Sequence, residues 1–440
     1  MENNTDSRKI VLEMLNATIS GGRFSNAVME DAFAKYRPDP QKRSFISRLY
    51  LGTLERYVYL EYVVNLYSKT KTSKMKPVIR NILAMSTEQM LFMDSVPDFA
   101  AVNEAVTLAR GCGFAGLAPF VNGVLRTVGR SFKKEDEEKK MPVWARLSVP
   151  EWIYSEAADE FGAKAAAAFF EAALSGDGGI PVRVNLNGII PELRGERIRE
   201  VEKMLEASGC SVRQAAPSDC LRIKGAGNIR SLAAWKAGLI TAQNPSSVSS
   251  VMEGVRLLGK IKDNPFIIDV CAAPGGKSMI AAQEFPAGRV LARDISEEKT
   301  DLIKENISRL GIENIETQVF DARVQDESLK GCADMVIADL PCSGLGVTGE
   351  KPDIKLRVKP GDVKELAGLQ REILAVCADY VKPGGLLLYS TCTFTKEENE
   401  KNKKWIQQEL PFKCLREKPL LPSNGDSGFY TAVFRKKNAD

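Results

Sequence analysis

From about residue 236 the chain alternates short apolar runs with amphipathic stretches, and this restricts the fold more than any other feature. The runs are "FIIDV" (266–270), "RVLAR" (289–293), "ETQVF" (316–320), "ADMVIAD" (333–339), "GLLLYST" (385–391) and "FYTAVFR" (429–435). Stretches with helical spacing lie between most of them, for example "SEEKTDLIKENISRL" after Asp294. Repeated strand–helix units force a mostly parallel sheet with helices on both faces. Ligands of such sheets bind beyond the C-terminal ends of the strands. The residues that follow each apolar run are therefore the ones to read for chemistry.

The first strand end reads "IIDVCAAPGGKS". Asp269 closes the strand, and Gly275 and Gly276 let the turn approach a ligand before a helix starts near Lys277. The turn has neither the G-x-G-x-x-G nor the Walker spacing. Asp294 closes the second strand, 25 residues after Asp269. A carboxylate there can accept both hydroxyls of an adenosine ribose, in NAD and S-adenosylmethionine sites alike. Asp321 closes the third strand, and an acid beside the adenine fits S-adenosylmethionine better than NAD. Any one of these acids could be a helix N-cap; three at consecutive strand ends point to a nucleoside-type ligand. The fourth end is "DLPCSGLG", with Asp339 and Cys342, and the fifth is "STCT", with Cys392. Neighbouring strands lie about 5 Å apart, so the two thiols can face one cleft.

Composition removes other chemistries. There is no histidine among the 440 residues, so there is no Ser-His-Asp or Cys-His triad and no His metal cluster. Acid–base work falls to Asp, Glu, Lys, Tyr or Cys. The nine cysteines are odd in number, scattered and never in a C-x-x-C pair, which argues against a disulfide framework and a zinc ribbon. No metal is expected. No run of about 18 apolar residues is present, so no membrane span is expected. The polar start "MENNTDSRKIVLEML" lacks the apolar core of a signal peptide, which makes the cytoplasm the expected location. Nothing demands more than a monomer.

Two thiols and an acid suit one methylation in particular. Most methyl acceptors are already nucleophilic, but carbon 5 of cytosine must first be made electron-rich. Thiolate addition at carbon 6 does this, and a carboxyl can hold the exocyclic amine and ring nitrogen 3. A second thiol then has work in removing the carbon 5 proton or releasing the product. A free thiol is mostly protonated at pH 7, and Lys277 can supply a positive field that favours thiolate. The D/N-P-P-aromatic signature of amino-group methylation is replaced here by Asp339-Leu340-Pro341-Cys342. On spacing alone the two thiols are interchangeable.

Upstream, residues 8–130 read as a helical bundle, with apolar residues three and four apart in "RSFISRLYLGTLERYVYLEYVVNLY" and "MKPVIRNILAMSTEQMLFM". Through residue 140 there are 21 Lys and Arg against 16 Asp and Glu, a basic balance that fits nucleic acid. "RSFKKEDEEKKMP" reads as a charged linker, assigned to 133–141. Residues 142–235 mix helical stretches with "IPVRVNLN" and "CLRIK", a small α+β domain.

The segments "DVCAAPGGKS", "DLPCSGLGV", "KPDIK", "LQREIL", "VKPGGLLLYSTCT" and "GFYTAVF" resemble the Sun (RsmB-like) family of RNA cytosine-5 methyltransferases, over roughly 236–440. "AVNEAVTLARGCGFAGLAPFVNGVLRTV" (101–128) is similar to the NusB-type helical RNA-binding domain. The resemblance implies an all-α NusB-like bundle (1–132), a small α+β middle domain (142–235) and an α/β Rossmann-like S-adenosylmethionine-dependent methyltransferase domain (236–440). It implies a cofactor loop of Cys271, Ala272, Ala273, Pro274, Gly275, Gly276 and Lys277, with Asp294 on the ribose and Asp321 near the adenine. It places Asp339 at the target base, and next to the cofactor, with Lys277 near it. It makes Cys392 the nucleophile and Cys342 the thiol that helps release product. The implied substrate is small-subunit (16S) ribosomal RNA, free or in early assembly. Methylation of transfer RNA or large-subunit RNA, a catalytically inactive RNA-binding assembly factor, and an NAD-linked enzyme are the competing readings. The chain departs from the family at Thr348, Gly349, Glu350 and Lys351, where two arginines are common, and at Asn244, where an acid is frequent.

Overall fold

Apolar residues three and four apart wind the first part of the chain into helices. Ser7–Leu15, Ser25–Tyr36, Pro40–Tyr67, Pro77–Phe92, Asp98–Gly111 and Ala118–Ser131 follow one another. The longest starts where the Asp39 side chain accepts from the Lys42 amide and Pro40 fills the first turn. Its residues Ile46, Leu49, Leu54, Leu60 and Val63 are fully buried against Ile82, Leu83, Val121 and Leu125 of the later helices. The structure is a computed structural model and describes residues 6–175, 179–420 and 427–438. Residues 1–5 of the polar start lie outside it. Among the described residues no helix is long and apolar enough to cross a membrane.

By contacts the chain divides into two units. The first runs through Leu174 and also takes in Thr348–Val358; the second holds the rest. Two sequence expectations change in the first unit. The charged run assigned as a linker contains a helix, Lys134–Glu138, whose Glu138 accepts from Tyr59 Oη at 3.0 Å. The stretch from 151 to 175 is broken at Gly162, φ +88°, into Glu151–Phe161 and Ala163–Ser175.

The short stretch 348–358 is fastened into this first unit. Asp353, 2% exposed, accepts from Ser25 Oγ at 2.6 Å and pairs with Arg357 at 3.2 Å. Buried Lys355 donates to the Glu55 carbonyl at 2.6 Å, and Arg357 stacks 4.0 Å over the Phe24 ring. Burial pushes Lys355 down to about 7.

The second unit carries two sheets. The smaller is antiparallel, in the order β2-β3-β1-β4, from β1 (Ile180–Val184), β2 (Ser211–Gln214), β3 (Cys220–Lys224) and β4 (Ile240–Ala242). The larger has seven strands: β5 (Phe266–Asp269), β6 (Arg289–Asp294), β7 (Ile315–Val319), β8 (Ala333–Asp339), β9 (Val381–Thr391), β10 (Phe412–Leu420) and β11 (Phe429–Lys436). Their order is β10-β11-β9-β8-β5-β6-β7, with β7 to β9 parallel and β10 and β11 antiparallel. Side chains alternate between two cores. Ile267, Met335, Ile337, Leu386 and Leu388 pack under the helices Pro245–Leu258 and Gly276–Glu284. Ile268, Val336, Ala338, Leu387 and Tyr389 pack under Pro360–Tyr380 and Glu400–Glu409. The order reverses at β5, between β6 and β8, and a crevice for ligands opens at such a reversal.

Candidate active site

Parallel pairing brings the fourth and fifth strand ends together. Asp339 of β8 stands opposite Ser390 of β9, and the Ser390 hydroxyl donates to Asp339 Oδ1 at 2.7 Å. Three residues beyond Asp339 and two beyond Ser390 come Cys342 and Cys392, with sulfurs 3.3 Å apart. The Cys392 amide also donates to Cys342 Sγ at 3.3 Å. The pair can share a single proton. Its hydrogen bond to Cys392, its burial and the nearby Glu398 all raise the Cys342 thiol well above the usual cysteine value. Cys342 is therefore held as the thiol.

Lys277 opens the helix after β5. Its Nζ meets Asp339 Oδ2 at 2.5 Å and the Ser247 hydroxyl at 3.0 Å, and lies 5.0 Å from the Phe429 ring centroid. The ammonium is buried and the carboxylate half-buried, so the pair is partly desolvated and strengthened. A carboxylate, an ammonium and two thiols thus line one strand edge.

The glycine turn lies at the same edge. Gly275 has φ +99°, and a Cβ there would come within 3.1 Å of Ile303 and 3.2 Å of Met279. Asp269 is buried at the end of β5 and takes the Ser278 hydroxyl at 2.6 Å on one oxygen. Its other oxygen has no hydrogen-bond partner. Burial, with Asp339 and Asp294 nearby, pushes its carboxyl up to about 7. Asp294 at the end of β6 accepts from the Ala273 amide at 2.9 Å and the Ile295 amide at 2.8 Å, and pairs with Lys299 at 3.0 Å. Asp321, beyond β7, is clasped by Arg323 at 2.7 Å, which holds its carboxyl below the usual range. Cys271 is largely buried and points to no reactive role, since burial pushes its thiol up.

One buried network escaped the sequence reading. Glu398, fully buried, accepts from the Ser343 amide at 2.9 Å, the Ser343 hydroxyl at 2.6 Å, Thr395 Oγ1 at 2.8 Å and Gln370 Nε2 at 3.1 Å. Gln370 also donates to the Pro341 carbonyl at 2.9 Å, and Ser343 Oγ is 2.8 Å from Thr393 Oγ1. Glu398 thereby ties the Cys342 loop to the Cys392 loop. Its only signal in the sequence is an acid six residues after Cys392, inside "TKEENE". The Gly346 amide adds a main-chain tie to the Cys392 carbonyl at 3.0 Å. A Cβ on Gly346 would lie 2.2 Å from the Gly428 carbonyl oxygen and 2.9 Å from that of Cys392, so the Cys342 loop packs against both segments at a distance that only glycine allows.

Comparison with known proteins supplies context for this geometry. Residues 256–424 match the family described as 16S rRNA methyltransferase RsmB/F, and residues 5–130 match the NusB family. The probable ribosomal RNA small subunit methyltransferase B of Bacillus subtilis (strain 168) is 34% identical, over 98% of this chain and 99% of that protein. The ribosomal RNA small subunit methyltransferase B of Yersinia pseudotuberculosis (strain YPIII) is 26% identical, over 99% of this chain and 100% of its own. Among solved structures, PH0851 superposes with a TM-score of 0.79 at 24% identity, over 97% of this chain and 98% of that chain. NSun6 from Pyrococcus horikoshii with SFG gives 0.55 at 20% identity, over 66% and 99%. Both share the fold.

Proposed function

Because the chain belongs to the RsmB/F family of 16S rRNA methyltransferases, with a NusB-family region ahead of the catalytic part, we propose that it methylates carbon 5 of a cytosine in small-subunit ribosomal RNA. The observation that carries this reading is the pair of thiols 3.3 Å apart beside the Lys277–Asp339 ion pair. Amino-group or hydroxyl methylation has no use for two sulfurs at one strand edge. The basic balance of the N-terminal helical unit supports RNA as the partner.

S-adenosylmethionine is the methyl donor of this family, and it supplies an electrophilic methyl group. The glycine turn fits such a cofactor. The partnerless buried oxygen of Asp269 is an acceptor beside the turn, and the residues Cys271 to Lys277 can reach a ligand with their main chain. Asp294, fixed by two amides, and Asp321 offer carboxylates to the ribose and the adenine.

The side chains then divide the work. Asp339 accepts from the exocyclic amine of the target cytosine, while Lys277 limits the charge that gathers on the ring. Cys392 adds as thiolate to carbon 6, forming a carbon–sulfur bond and pushing an electron pair onto carbon 5. That carbon takes the methyl group. The carbon 5 proton must then leave, and its electron pair re-forms the 5,6 double bond as the Cys392–carbon 6 bond breaks. Once the Cys392 sulfur is bonded to carbon 6, Cys342 releases its own proton to solvent, and the resulting thiolate takes the carbon 5 proton, which restores Cys342 as thiol and frees Cys392 as thiolate. Incubating the protein with unmodified small-subunit RNA and S-adenosylmethionine, then mapping 5-methylcytosine, tests the proposal. One modified cytosine is expected; no methylated cytosine in either free RNA or immature subunits would refute it.

A further inference from the structure

A cavity of about 550 Å³ lies within the second unit, away from the thiols. It opens among the first turns of the helix Pro191–Ala207, the turn between β2 and β3, and the helices Pro245–Leu258 and Gly276–Glu284. Four arginines line it: Arg183, Arg194, Arg199 and Arg256. Two acids, Asp219 and Glu284, also line it, and Glu284 is already paired with Arg194 at 2.8 Å.

Arg183 is the informative residue. It sits in β1 and is 1% exposed. Its Nε donates to Gln243 Oε1 at 2.8 Å and its Nη1 to Gln283 Oε1 at 2.6 Å, both neutral partners. Its Nη2 is buried with no acceptor, and so is Nε of Arg194. Asp219 is close enough to act on the charge of Arg183 but accepts none of its N–H groups. Asp219 and Glu284 offset part of the Arg183 charge, but the buried Nη2 donor has no acceptor, and an anion in the cavity would supply one. The helix Pro191–Ala207 also begins here with no side-chain cap, so the positive end of its dipole favours the same sign of ligand.

We propose that this cavity is a phosphate-binding site, in which Arg183 and Arg194 contact the anion from below and Arg199 and Arg256 close over it. Planar guanidinium forks match phosphate oxygens in pairs. The phosphate belongs either to the RNA backbone or to a small phosphorylated molecule. Gln243, which Arg183 holds, lies 2.8 Å from the Cβ position of Gly276 in the glycine turn, so the anion fastens a residue that supports the cofactor loop.

The test uses the full-length protein and calorimetric titration with sodium phosphate and adenosine 5′-monophosphate, against sodium chloride at matched ionic strength. Saturable binding is expected, at least tenfold weaker in the surface double variant Arg199→Glu/Arg256→Glu. Arg183→Gln should lose it altogether, with thermal unfolding used to confirm that this variant is folded. A second arm measures competition between phosphate and a small-subunit RNA fragment. Competition that the double variant abolishes identifies an RNA phosphate; phosphate binding with no competition identifies a small molecule. No saturable phosphate binding by the wild-type protein, or equal binding by wild type and double variant, overturns the site. The RNA arm rests on the methyltransferase reading; the phosphate arm does not, so the two can fail separately.

Discussion

Replacing Glu398 by alanine should unpin the two cysteine loops. Ser343 Oγ keeps Thr393 as a neighbour at 2.8 Å, and Gln370 Nε2 keeps the Pro341 carbonyl at 2.9 Å. The Ser343 amide and the Thr395 hydroxyl, however, lose the acceptor they have and are left buried. Each such orphan costs about 1–3 kcal/mol. Desolvation already raises the Glu398 carboxyl, and removing that burden offsets part of the loss. The expected net destabilisation is about 3 kcal/mol at pH 7. Urea unfolding monitored by alkylation of the cysteines measures it. Glu398→Gln keeps the shape and should lose less, about 1 kcal/mol. It should also let the thiols react with iodoacetamide at lower pH, because the negative charge that helps keep Cys342 protonated is gone. An alanine variant within about 0.5 kcal/mol of wild type, with an unchanged alkylation profile, would refute the pinning role.

Two further perturbations probe other parts of the structure. Gly275→Ala places a Cβ at φ +99° and 3.1 Å from Ile303, so it should cost about 1–3 kcal/mol and weaken S-adenosylmethionine binding by calorimetry; an unchanged affinity and melting temperature would contradict the role of the turn. Lys355 has a folded-state pKa of about 7, depressed from 10.5 by burial, so the unfolded chain holds more protons between those values. Stability of the first unit should therefore rise with pH from about 7 to 10 through this residue. Lys355→Met should flatten that rise in thermal unfolding, and an identical slope in both proteins would count against it.

The candidate site at the strand edge was legible because topology does the gathering. Once strand–helix repeats impose a parallel sheet, Asp269, Asp294, Asp339, Cys342 and Cys392 must appear at one edge, whatever the loop details. The spacing did not separate the roles of the two thiols. What the folded chain adds is the surroundings of Cys342, whose thiol is raised by its hydrogen bond to Cys392, by burial and by the nearby Glu398. The edge strand β10 escaped notice because its residues are mostly exposed and do not alternate cleanly, and β2 and β4 are too short to show a period. The sequence marks Thr348–Lys351 only as a departure from the family pattern. In the structure that stretch enters the first unit, where Asp353 and Lys355 meet Ser25 and Glu55, residues some 300 positions away. No local pattern reports a contact of that separation.

The central claim is the division of labour between the two sulfurs, and a denaturing gel tests it most directly. Cys342→Ala and Cys392→Ala are each incubated with small-subunit RNA and S-adenosylmethionine, then run under conditions that leave only covalent links. The two sulfurs lie 3.3 Å apart, and the proposed mechanism gives Cys392 the attack and Cys342 the exit. Cys342→Ala should therefore accumulate a slow-migrating protein–RNA adduct, and Cys392→Ala should form none. An adduct with Cys392→Ala and none with Cys342→Ala would contradict the account and exchange the two roles.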